Sequence, residues 1–83
     1  KFIAKRNYRL GIWVAGLLGR EGDEAKAYAH EVIKSDFEEP GEEDVVRKVT
    51  ADLQPTGKTE DDVRAMMESL LVEVMAEASN ETS

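Results

Sequence analysis

Apolar residues recur along this chain at three- and four-residue steps in four separate runs, and each run marks one face of an α-helix. In the first, Ile3, Leu10, Trp13, Val14, Leu17 and Leu18 share a side, while Gly11 and Ala15, four apart, leave a strip of small residues where a neighbouring helix can approach closely. Ala25, Tyr28, Ala29, Val32 and Ile33 form the second stripe, and Val45, Val46, Val49 and Leu53 the third. The fourth is the longest: Val63, Met66, Met67, Leu70, Leu71, Val74, Met75 and Ala78. A methionine-rich face can be an adaptable groove, but at this spacing it reads as core.

The breaks between the runs carry turn chemistry. Gly19 and Gly22 suit a helix end and a turn, and Asp23 suits the cap of the second helix. Pro40 pushes Glu39 out of helical geometry, with Gly41 supplying the turn that follows. Pro55 and Gly57 close the third helix, and Thr59 with Asp62 resembles a capping box that opens the fourth. The pattern predicts helices near 2–18, 23–35, 42–54 and 60–78, with 79–83 a disordered tail. The fold class is therefore all-α, a single four-helix bundle over residues 1–78. Its predicted core is Trp13, Leu17, Tyr28, Val32, Phe37, Val49, Leu53, Met67, Leu70 and Val74.

Charge narrows the function. With 83 residues, of which 35% are charged, the chain makes one domain with a modest core. A net charge of −7 argues against nucleic acid, whose backbone is bound through Lys and Arg. There is no cysteine, so disulfides and thiolate zinc sites are excluded and cytosol is the default compartment. The charge is unevenly placed: residues 1–20 carry Lys1, Lys5, Arg6, Arg9 and Arg20 and no acid, whereas six of the nine residues from Asp36 to Asp44 are acidic. A basic first helix and an acidic corner either complement one another internally or offer a face to a charged partner. The candidate partner-binding residues are accordingly Lys1, Lys5, Arg6 and Arg9, and Asp36, Glu38, Glu39, Glu42, Glu43 and Asp44.

Motifs for chemistry are tested and fall away. Counted as a calcium loop from Asp36, the corner puts Pro40 at the fifth position and Arg47 where a bidentate Glu is needed. Gly11 to Gly16 has the spacing of a phosphate loop, but Leu17 and Leu18 stand where Lys and Ser or Thr belong. Gly16, Gly19 and Gly22 are misspaced for a dinucleotide fingerprint and follow a helix. The apolar run Leu10 to Gly19 is half the length of a membrane span and ends in Arg20 and Glu21, so no direct membrane insertion is expected. His30, the one histidine, lies off the apolar stripe as a surface residue and has no serine beside it to activate. The carboxylates crowd an exposed turn, where nothing apolar separates one pKa from another. Neither an enzyme, a metal site nor a cofactor site is expected.

Two stretches carry a family resemblance. Arg6, Asn7, Leu10, Gly11, Trp13, Ala15, Leu17, Leu18 and Gly19 form the first motif. Ala27, Tyr28, Ala29, Ser35, Asp36, Phe37, Pro40, Gly41, Asp44, Val45, Arg47, Lys48, Asp52 and Leu53 form the second. Together they resemble the ATPase-inhibitor zeta subunits of alphaproteobacterial F-type ATP synthases. The resemblance implies a four-helix fold and a regulatory subunit that slows ATP hydrolysis while leaving synthesis intact. It implies the catalytic head of the synthase as partner, and a cytoplasmic position peripheral to the inner membrane through that complex. In the family the inhibitory work resembles that of a segment before the Arg6–Asn7 motif, so these residues correspond to the globular part without that arm. The alternative is a stand-alone helical adaptor or a small-ligand sensor, and weak binding of a nucleotide to the bundle is left open.

Overall fold

The computed structural model describes residues 2–36 and 42–81, and side chains as far as Ser79. Among the described residues the chain forms four α-helices and no strand: α1 Phe2–Leu17, α2 Asp23–Ser35, α3 Glu43–Asp52 and α4 Glu60–Glu81, with a 3-10 turn at Gln54–Thr56. It is an all-α four-helix bundle. α1 packs on α2 and α4, and α3 closes the other side by packing on the same two helices.

The helix ends follow from local chemistry. After Leu17 the chain makes paired terminal bonds, Arg20 N–H to Ala15 C=O at 2.8 Å and Gly19 N–H to Gly16 C=O at 3.2 Å. This arrangement needs a left-handed residue, and Gly19 supplies it at φ 80°. α2 begins one residue earlier than a cap at Asp23 requires: Gly22 is the cap, and Asp23 and Glu24 lie in the first turn, where their charge meets the positive end of the helix dipole. α3 stops at Asp52, short of 54, because Pro55 lacks an N–H and Gln54–Thr56 winds into the tighter turn. Thr59 and Asp62 cap α4 reciprocally, Thr59 N–H to Asp62 Oδ2 at 2.9 Å and Asp62 N–H to Thr59 Oγ1 at 3.3 Å. α4 then runs on to Glu81, so helix occupies 79–81, where the sequence suggests a tail.

Leu10, Val14, Tyr28, Val32, Val45, Val46, Val49, Leu53, Val63, Met67 and Val74 are buried. Trp13 and Leu70 are only partly buried, packed against the edge of that cluster. Leu17 is a correction, since it is 39% exposed. The reason is a rotation of α1. Its buried side includes Arg6, Asn7, Gly11 and Ala15, so the small strip and two polar residues face inward while Ile3 and Leu17 turn out. Gly11 sets this rotation, for α2 comes so close there that a Cβ on Gly11 would stand 2.5 Å from Ala29 Cα. Phe37, expected in the core, lies outside the described residues.

Candidate functional site

Turning α1 inward carries its first motif between the end of α2 and the start of α3. Arg6 is 2% exposed and Asn7 1% exposed, and Arg6 Nε donates to Asn7 Oδ1 at 2.9 Å. The Arg6 guanidinium then lies 3.7 Å from Glu42 Oε1, joining α1 to the start of α3. Asp44, 6% exposed, turns back to accept the Val45 N–H at 2.9 Å. Burial, with the charges of Asp44 and Glu42, holds the half-buried Asp36 carboxyl above the usual carboxylate range, and Arg6 and Asn7 pull it the other way. Among the described residues the buried Asn7 Nδ2 makes no hydrogen bond of full geometry. A hollow of about 250 Å³ lies here, lined by Ile3, Arg6, Asp36 and Glu42.

The candidate partner-binding residues therefore divide. Arg6 and Asp44 face inward at the start of α3, and their burial corrects their placement on an exposed surface. Lys5, Glu42 and Glu43 are exposed and Asp36 is half-buried. Arg9 donates to both carboxylate oxygens of Glu77, one bond at 2.7 Å, tying α1 to α4. Glu43 accepts from Arg64 at 2.9 Å, tying α3 to α4, and that partner lowers the Glu43 pKa. Lys1, Glu38 and Glu39 lie outside the described residues. His30 is exposed, its ring edge-on to Tyr8 with centroids 6.0 Å apart. No helix of the described residues is long and apolar enough to cross a membrane, and among them no group of three or more His, Cys, Asp or Glu is placed to hold a metal.

A second polar site sits at the other end of α3. The Tyr28 hydroxyl donates to Asp52 Oδ2 at 2.6 Å, and Lys48 Nζ reaches Asp52 at 3.2 Å and Glu31 at 3.5 Å. The Arg20 guanidinium and the Lys48 ammonium lie 5.3 Å and 5.1 Å from the Tyr28 ring centroid. Burial, followed by the bond to Asp52, pushes the Tyr28 hydroxyl pKa up. These side chains, with Leu18, line a hollow of about 310 Å³. Helical spacing alone places Tyr28 in the core and is silent on Arg20, because residues from three elements meet there only after packing. The one signal in the sequence is that Tyr28, Lys48 and Asp52 fall together in the second motif.

Both motifs thus have a structural role: the first supplies the Arg6–Asn7 pillar and the Gly11 crossing, and the second supplies the buried Asp44 and the Tyr28 cluster. The family model described as ATPase inhibitor subunit zeta matches residues 1–78. The chain belongs to that family. A solved structure titled as a solution NMR structure of a protein is similar at 50% identity, with a TM-score of 0.84 over 96% of this chain and 93% of that one. No curated protein matches the chain. Membership in the zeta family identifies an inhibitor subunit, a regulatory and non-catalytic class, and points to association with an ATP synthase.

Proposed function

We propose that this zeta-family bundle docks on the catalytic head of an F-type ATP synthase and restrains ATP hydrolysis, in the cytoplasm at the inner membrane where that complex sits. The observation that supports this reading is the family match across residues 1–78, which covers both motifs, α1 to α3 and most of α4. In this reading the bundle and the upstream segment divide the labour. Ion pairs from Arg6, Arg9 and Arg64 join α1, α3 and α4 around the shared core, so the bundle serves as a positioning body. Such a body supplies position, whereas obstruction of a rotary enzyme calls for a segment that orders on contact. In this reading the segment that precedes the Arg6–Asn7 motif in the family supplies the obstruction.

The test is hydrolysis by zeta-free ATP synthase titrated with the 83-residue chain and with a version extended by the family's upstream segment. Both should co-elute with the catalytic head, and the extended version should inhibit more strongly. Failure of both to co-elute would sink the docking, and equal inhibition by the two would move the active surface into the bundle.

A second reading, weak nucleotide binding, is favoured by the hollow beside Tyr28. Two cations flank the ring there, which suits an anionic ligand, although Glu31 and Asp52 already engage Lys48. Titration with ATP followed by amide shifts tests it: shifts confined to Arg20, Tyr28 and Lys48 support it, and their absence at millimolar ATP sinks it.

A further inference from the structure

On the outer side of α1, Lys5, Tyr8, Arg9 and Ile12 follow one another at helical spacing and line a hollow of about 510 Å³. The spacing puts all four on one stripe of the helix. Ile12 is 37% exposed and Tyr8 is half-buried, so the floor is apolar and open. Lys5 and Arg9 stand at its edges. Arg9 is held in place by its two bonds to Glu77, and a guanidinium has five N–H groups, so it keeps donors for a further acceptor. From α2 the His30 ring braces Tyr8 edge-on, and Lys26, one turn away on the same side of α2, adds another cation.

This combination differs from the other exposed apolar positions. Val72 and Met75 on α4 are 62% and 51% exposed, but their neighbours along the helix, Glu68 and Glu73, are acidic. In a chain of net charge −7, the stripe from Lys5 to Ile12 sets an apolar and aromatic floor among the cations Lys5, Arg9 and Lys26, with Glu77 paired to Arg9 and Glu73 nearby on the α4 side. Charge complementarity selects its occupant.

We infer that this α1 stripe is the surface on which the proposed protein partner seats, and that what it takes is an amphipathic helix with apolar residues on its inner side and carboxylates along its edges. Apolar side chains of that helix rest on Tyr8 and Ile12, and its carboxylates meet Lys5 and Arg9. The acidic corner is then not the docking face. Glu42 and Glu43 there are, like Arg9, paired within the bundle, and what sets the stripe apart is its open apolar floor at Tyr8 and Ile12.

The inference rests on the proposed function, and the absence of cysteine from the chain allows the two to be separated. Ile12→Cys, Val72→Cys and Glu42→Cys each introduce a single thiol at an exposed position: the stripe, the far side of α4 and the corner. Each variant is labelled with a maleimide, free and with a saturating amount of purified zeta-free catalytic head, and the labelled chain is read by mass. The expected result is labelling at Ile12→Cys slowed about tenfold by the head, with Val72→Cys and Glu42→Cys unchanged. Co-elution of the unaltered chain with the head is measured first. Loss of co-elution overturns the proposed function and this inference together. Co-elution with Ile12→Cys labelled at its free rate, or protection at Val72→Cys or Glu42→Cys instead, overturns this inference alone.

As a second measurement, Ile12→Glu should melt as the unaltered chain does and bind the head at least about tenfold more weakly. Equal binding would overturn the inference.

Discussion

Replacing Gly11 by Ala sets two effects of known size against each other. In a helix interior Ala is favoured over Gly by about 1 kcal/mol, so propensity alone predicts a more stable protein. The added Cβ would stand 2.5 Å from Ala29 Cα, 2.9 Å from Ala29 Cβ and 3.3 Å from Ala29 N. Carbon atoms in good contact sit roughly 3.5–4.0 Å apart, so α1 and α2 must part by about 1 Å. The obstacle is backbone and has no rotamer to escape into. Overpacking of this kind costs about 1–3 kcal/mol, and the parting also loosens the contacts of the core residues beside it, Leu10, Val14, Ala15 and Val32. The clash should win, with a net loss of about 1–2 kcal/mol, or roughly 4–15 °C in melting temperature for a domain of this size. Gly16→Ala is the internal control: it lies on the same helix, exposed, with nothing within 4 Å of the added Cβ. It should raise stability by up to about 1 kcal/mol. Adding Ala29→Gly to Gly11→Ala should restore little, because the nearest atom is a Cα that remains. Urea unfolding followed by circular dichroism and by Trp13 fluorescence measures all three. A Gly11→Ala protein as stable as the Gly16→Ala one would refute the close crossing.

Three further outcomes are expected. The raised Asp36 pKa means that the folded state binds its proton more readily than the unfolded state, so this group contributes stability as pH falls through its folded pKa and takes it away as pH rises; Asp36→Asn should therefore stabilise the protein at neutral pH and make no difference in strong acid, in urea titrations across pH. An Asp36→Asn protein less stable at pH 7 would contradict that sign. Tyr28→Phe removes the donor to Asp52 and should cost about 1 kcal/mol, with the Lys48 to Asp52 pair retained, and an unchanged melt would mean that the bond contributes nothing net. Thr59→Ala deletes the cap of α4 and should cost about 1 kcal/mol, with faster amide exchange confined to its first turn; exchange spread over the whole chain would show that the turn is not an independent unit.

The helices were legible in the sequence because helix formation is local: a stripe at three- and four-residue steps, a glycine that can turn left-handed, and a Thr–Asp pair that caps its own turn all act within a few residues. That is why the pattern predicts α2 over the residues it occupies, Asp23–Ser35, and departs from α1, α3 and α4 only at their ends. The local pattern does not say which way a helix is rotated against its neighbours. On α1 the large apolar residues suggest that Leu17 is buried and Arg6 free, yet the bundle reverses both, because Ala29 can approach only at Gly11 and that approach turns Arg6 and Asn7 inward. The pairs that join the helices, Arg6 to Glu42, Arg9 to Glu77 and Arg64 to Glu43, were likewise invisible, because they link positions far apart in the chain. The Tyr28 cluster makes the same point, since its side chains come from α2, α3 and the turn after α1. Which residues form helix was thus a property of the sequence. Which charges face inward, and which face of α1 stands open, was decided by the closest approach of two backbones.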